Sequence, residues 1–173
     1  MGDGTLDLQE VWHRFAGGLF HGQTILDVGA GIGRSKDRLS INGNIVTTQD
    51  TERSFIEKVD LIIDTDKISG TWSVVTAFDV IEHSSSPDRF LKTLWRLAER
   101  AVFFTTPNAA KSPAPWHWHL DQLIKMCEPY ITPIVSARIK TADAEWIELL
   151  SDDNRNAARA FGFLLEKESC VHF

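Results

Sequence analysis

The 173-residue chain is short of several things that would place it quickly. It has two cysteines, Cys127 and Cys170, far apart and without metal or redox spacing. That argues against a disulfide scaffold, a zinc module or a dithiol enzyme. Cys127, in an apolar stretch, reads as a core thiol. No apolar run approaches the roughly 18 residues that a membrane span requires. The opening MGDGTLDLQE has no basic segment leading into an apolar one, and Asp3 spoils Gly2 as a lipidation signal. Positive charge is also in deficit: 18 Lys and Arg against 24 Asp and Glu give a formal charge of −6. Non-specific nucleic-acid binding needs many cationic contacts to phosphate, so nucleic acid is disfavoured as a partner. Repeats and low-complexity tracts are missing. What remains is ordinary for a globular protein, 43% hydrophobic and 24% charged, and long enough to bury a full core. The expectation is one cytoplasmic domain over residues 1–173, of undefined oligomeric state.

The most informative stretch is Thr24 to Ser35, TILDVGAGIGRS. An apolar run around Asp27 stops in Gly29-Ala30-Gly31-Ile32-Gly33, as where a buried parallel strand turns sharply into a helix. Glycines there let a ligand approach the backbone, and the helix start offers unpaired N–H groups. The spacing is GxGxG. A dinucleotide fingerprint would need glycine at position 34, which is Arg34. Asp27, two positions before the first glycine, would repel a pyrophosphate and suits a cationic ligand carrying an amine and a sulfonium.

This stretch resembles motif I of the class I S-adenosylmethionine-dependent methyltransferases, roughly hhDhGxGxG. A second cluster strengthens the likeness: Asp79-Val80-Ile81-Glu82-His83 follows the run Ser73 to Phe78 and resembles the DVLEH signature after the fourth strand of that family. A third, Thr106-Pro107-Asn108, ends the expected fifth strand. The likeness is good over Thr24 to Leu123 and holds only in outline beyond. It implies a Rossmann-like α/β fold with a mostly parallel seven-stranded sheet and a C-terminal antiparallel hairpin. It implies S-adenosyl-L-methionine as cofactor. The residues it points to are Asp27, Gly29, Ala30, Gly31 and Gly33, then Asp50 at the tip of the second strand with Thr51 beside it, Asp64 after the third, and Asp79 and Val80. Asp50 is placed where such sheets hold ribose hydroxyls; Asp66 is an alternative to Asp64 for adenine.

The remaining elements follow from periodicity and punctuation. Leu6 to Phe20 reads as an amphipathic helix ended by Gly17-Gly18. Strands are expected over Thr24–Val28, Ile45–Thr48, Val59–Ile63, Ser73–Phe78 and Ala101–Thr105, with short helices at Arg34–Leu39 and Thr51–Lys58. Pro87 opens a helix with Ser86 as its N-cap. Another helix is expected over His119–Cys127, and strands within Ile131–Lys140, Trp146–Leu150 and Phe161–Glu166. By function this divides into an N-terminal helix over 1–22, a cofactor core over 23–128 and a hairpin region over 129–173.

Methyl transfer asks mainly for positioning, with a general base where the acceptor is a hydroxyl or amine. Histidine is the natural base near neutral pH, and the candidates are His83, His117 and His119. The expected acceptor is a small molecule. Three rival readings are a non-catalytic binding protein on the same fold, a nicotinamide-dependent oxidoreductase, and a metal-assisted RNA 2′-O-methyltransferase. The last would use Asp79, Glu82 and His83 with His117 or His119 as ligands.

Overall fold

The fold is taken from a computed structural model that describes residues 9–111, 118–141 and 144–167. His117 and Cys170 lie outside the described residues, as does the start of the expected first helix. Eight strands form one sheet: β1 (Thr24–Val28), β2 (Ile45–Asp50), β3 (Leu61–Ile62), β4 (Trp72–Phe78), β5 (Ala98–Pro107), β6 (Ile134–Lys140), β7 (Glu145–Leu149) and β8 (Ala160–Glu166). Their order across the sheet is β3-β2-β1-β4-β5-β8-β6-β7. The first five pair in parallel. β8 enters antiparallel between β5 and β6, and β7 closes the edge antiparallel to β6. The expected count of seven strands is therefore corrected to eight. The strand expected over Trp146–Leu150 is found at Glu145–Leu149, and its alternating burial suits an edge.

The helices are α1 (Glu10–Leu19), α2 (Ser35–Leu39), α3 (Pro87–Leu97), α4 (Leu120–Cys127) and α5 (Asp152–Arg155). Alternation along β1 explains their placement. Leu26 and Val28 join one core with Leu91, Leu94 and Leu123 from α3 and α4. Ile25 joins the other with Trp12, Ala16 and Leu39 from α1 and α2. Asp27 shares the face of Ile25, and so points toward α2.

Two local expectations change. Gly17 and Gly18 do not end α1, which continues to Leu19. A Cβ at Gly17 would lie 2.2 Å from the Arg38 carbonyl oxygen, so the glycine is there to let α1 touch α2 closely. Thr51–Lys58 contains only a 3₁₀ turn at Arg53–Phe55, not a helix. The link from β3 to β4 is likewise a single turn, Thr65–Lys67, followed by a loop.

Candidate functional site

The C-terminal ends of β1, β2 and β4 converge on a cleft of about 220 Å³, lined by Gly29, Gln49, Asp50, Thr51, Thr65, Asp79, Val80 and His83. Ligand sites in open α/β sheets lie at this end, where strand order reverses; here that is between β1 and β4. Six of the residues expected from sequence are brought together: Gly29, Asp50, Thr51, Asp79, Val80 and His83. Gln49 and Thr65 were not foreseen. Gln49 is buried and its side chain reaches the Gly29 N–H at 3.4 Å; nothing in the strand pattern marks it.

The glycine loop is held from both sides. Its Ala30 N–H donates to the Gln49 carbonyl at 2.9 Å, and its Gly31 N–H donates to Asp50 Oδ2 at 2.8 Å. The other Asp50 oxygen accepts from the Glu52 N–H at 2.9 Å. The glycines do different work. Gly29 packs against Val80, where a Cβ would meet Cγ2 at 2.6 Å. Gly33 packs against the Lys58 carbonyl, which a Cβ would meet at 2.3 Å. A Cβ on Gly31 would meet no atom within 4 Å, so that backbone faces open space. Ala30, Gly31 and Gly33 belong to the loop rather than to the cleft wall.

Asp27 has a different place from the one its motif position suggests. It is 1% exposed and absent from the cleft wall. One carboxylate oxygen accepts from the Ser35 hydroxyl and the other from Thr76 Oγ1 at 2.7 Å. It thus ties the start of α2 to β4 beneath the glycine loop. Burial pushes its carboxyl up to about 6, against the lowering effect of the two hydroxyls. Asp64 also differs. It is exposed and ion-paired with Lys67 at 2.6 Å, and Asp66 pairs with Arg89. Neither lines the cleft; Thr65 between them does.

Asp79 is the hinge of the site. It is a non-glycine residue in the left-handed region, with φ of 53°, a conformation that aspartate tolerates better than most residues but that still costs energy. The surroundings hold it there. Its N–H donates to Thr105 Oγ1 at 3.1 Å, and that hydroxyl donates to its Oδ1 at 2.8 Å. Gln9 reaches its Oδ2 at 3.5 Å. Burial raises the Asp79 carboxyl, offset by Thr105, Gln9 and the nearby Arg138. Asp79 also lines a second cleft of about 430 Å³ with Pro107, Lys111, Arg138, Lys140, Arg159 and Ala160. A larger cavity, about 940 Å³, lies at the opposite end of the strands beside Phe20, Glu99 and Lys167, and none of the motif residues reaches it.

A family model described as a methyltransferase domain matches residues 5–165. The chain belongs to the methyltransferase domain family. No curated protein matches the sequence. Among solved structures, a SAM-dependent methyltransferase from Archaeoglobus fulgidus is similar with a TM-score of 0.70 at 15% identity, covering 95% of this chain and 95% of that one. The magnesium protoporphyrin IX methyltransferase of Synechocystis PCC 6803, with bound SAH, gives 0.67 at 13% identity over 96% and 90%. The 1,6-didemethyltoxoflavin-N1-methyltransferase of Burkholderia thailandensis gives 0.65 at 15% over 94% and 80%. At these identities the likeness is one of fold.

In this methyltransferase domain the two described candidate histidines part company. His83 stands exposed at the cleft. His119 is exposed at the start of α4, where its backbone N–H donates to Gln122 Oε1 at 2.9 Å; it lines neither cleft. Among the described residues, no group of three or more His, Cys, Asp or Glu is disposed to hold a metal. Glu82 in particular is 3% exposed, and its Oε2 has no hydrogen-bond partner among the described residues. No helix among them is long and apolar enough to cross a membrane.

Burial, and then the nearby Asp79, push the Glu82 carboxyl up to about 8. A carboxyl raised on folding stabilises the fold fully below its unfolded value near 4.5, and that contribution is lost as pH rises through about 8. Asp27 acts in the same direction, its contribution being lost as pH rises through about 6. Glu82→Gln is expected to flatten the fall in stability between pH 4.5 and 8, gaining on the order of 2 kcal/mol at the upper end. Urea unfolding at several pH values checks this; an unchanged slope refutes it.

Proposed function

We propose that the chain transfers a methyl group from S-adenosylmethionine to a small-molecule acceptor. One observation carries the reading. Asp79 belongs to the walls of both clefts, so a donor in the first and an acceptor in the second meet beside it. The lining of the first cleft suits the donor: the backbone at Gly31 is open, and the Asp50 carboxylate stands at the tip of β2 in the cleft wall. Gly29, Gln49, Asp50, Thr51 and Thr65 are the residues that would hold the donor. When bound, it supplies an electrophilic methyl whose C–S bond breaks as the acceptor's lone pair forms the new bond, leaving a neutral thioether.

The chain's own contribution is placement and exclusion of water. Asp50 fixes the glycine loop through the Gly31 N–H. Asp27 fixes the helix behind it through Ser35. In this reading the acceptor's proton goes to His83, which lines the donor cleft and not the wall of the second. The size of the second cleft, about 430 Å³, is within the usual range for small-ligand sites and supports a small acceptor.

The test is calorimetric titration with S-adenosylhomocysteine. Saturable one-to-one binding is expected, and its absence refutes the proposal. Asp50→Ala removes an ionised acceptor from two backbone donors and from the donor's site. Charged hydrogen bonds are worth about 1.5–3 kcal/mol each, so binding is expected to weaken by about ten- to a hundredfold.

A further inference from the structure

We infer that the acceptor carries an anionic group, a carboxylate or phosphate, and that this group seats in the second cleft on Lys111, Lys140 and Arg159 above the buried Arg138. The inference rests on the methyltransferase reading and adds the acceptor's chemical class. The chain as a whole is acidic, with a formal charge of −6. The cleft beside Asp79 has the opposite character, with four cations and one carboxylate in its wall.

Their convergence matters more than their number. Elsewhere many exposed cations are ion-paired, Lys36 with Asp60, Arg38 with Glu10, Lys67 with Asp64, Arg89 with Asp66 and Arg155 with Asp121. Others, such as Lys58, Lys92 and Lys125, stand singly on the surface among the described residues; in this cleft unmatched cations share one concavity. In the cleft only Arg138 is matched, by Glu145 from β7 in an ion pair whose members are 5% and 11% exposed. Among the described residues, no carboxylate pairs with Lys111, Lys140 or Arg159. The one acid in the wall, Asp79, has its carboxylate engaged by Thr105 and Gln9. Three unmatched cations converging on one concavity create a local positive potential that a low-dielectric wall focuses. Arg159 can also grip a carboxylate or phosphate with two parallel N–H bonds.

Backbone bonds hold the two sides of this cleft in register. The Arg159 N–H donates to the Arg138 carbonyl at 2.8 Å, and the Asn108 N–H donates to the Arg159 carbonyl at 2.9 Å. Arg138 and Lys140 therefore sit on β6 and Arg159 at the entry to β8, while Lys111 lies in the turn that follows β5. A pocket of about 430 Å³ accommodates one small anion with its scaffold. A nucleic acid would need a groove of phosphate contacts running beyond it.

The experiment is an NMR titration of the ¹⁵N-labelled protein, free and saturated with S-adenosylhomocysteine. The probes are inorganic phosphate, phenyl phosphate, 4-hydroxybenzoate and the neutral 4-hydroxybenzamide. The anions are expected to shift the backbone amides of residues 138–140 and 159–160 saturably, at least tenfold more tightly than the amide probe, and more weakly as salt is raised. The stronger of the phosphate and carboxylate arms names the group. Lys140→Gln combined with Arg159→Gln should weaken the anions at least tenfold while leaving S-adenosylhomocysteine affinity intact. Equal binding of 4-hydroxybenzoate and 4-hydroxybenzamide, shifts confined to other residues, or indifference to the double substitution overturns the inference. So does tighter occupancy of the same residues by a 20-nucleotide uridine oligomer. Failure of S-adenosylhomocysteine to bind would instead strike the methyltransferase reading, and the anion titration of the free protein would still decide the cleft.

Discussion

Gly33→Ala is expected to cost about 2–5 kcal/mol of folding stability, while Gly31→Ala, two residues earlier in the same loop, costs about 1–2 kcal/mol. Both glycines have positive φ, 73° and 56°, so both substitutions incur the left-handed penalty of an L side chain. They differ in what the new methyl meets. At position 33 it would lie 2.3 Å from the Lys58 carbonyl oxygen. That atom is backbone, and the Lys58–Val59 segment leads directly into β3, so it cannot rotate aside. At position 31 the methyl enters open space. That space is where a bound ligand would approach the loop, so Gly31→Ala should weaken S-adenosylhomocysteine binding out of proportion to its effect on stability. Paired urea unfolding and calorimetric titration separate the two. Equal stability losses at the two positions would show that the Lys58 contact does not matter.

The second large effect lies under the sheet. Trp12→Ala is expected to remove about 3–5 kcal/mol, a large share of the stability of a domain this size. Trp12 is fully buried, 6.0 Å in ring-centroid distance from both Phe15 and Phe103. It lies directly over Gly162 of β8, where a Cβ would meet its ring at 2.7 Å. Gly162→Ala alone should therefore be destabilising, by about 1–3 kcal/mol through overpacking. In the Trp12→Ala background the same substitution should be neutral or stabilising. The cavity takes the methyl, and alanine suits a strand better than glycine. A double-mutant cycle measures this coupling, and additive single effects would show that the ring and the glycine are not in contact.

The parts of the molecule legible from sequence are those whose signal is local. β1 and its glycine turn, the DVIEH cluster after β4 and the Pro87 helix start are each written in a few neighbouring residues, and the first two meet in the cleft. Gly17 and Gly18 were misleading because glycine marks a helix end only when nothing else demands it; here α2 demands a bare Cα at Gly17. Asp27 sits at a motif position, yet its side chain is decided by Ser35 and by Thr76, 49 residues away. The basic cleft was invisible for the same reason. Lys111, Arg138, Lys140 and Arg159 are scattered through an acidic sequence, and only the order of strands β5, β8 and β6 gathers them.

That strand order also sets a sequence of events. Every residue of the cleft at the glycine loop lies between positions 29 and 83, on strands that pair with near neighbours in the chain. The basic cleft needs Arg159 and Ala160, at the entry to a strand that must thread between β5 and β6 after both have been made. During synthesis, which runs from the N-terminus, the residues of the first cleft emerge before Arg159 and Ala160 of the second. A chain that has emerged only as far as β7 can assemble the first cleft but presents an unpaired β5 edge and a detached β6–β7 hairpin. The strand that joins β5 to β6 and completes the sheet is thus the same one that completes the basic cleft.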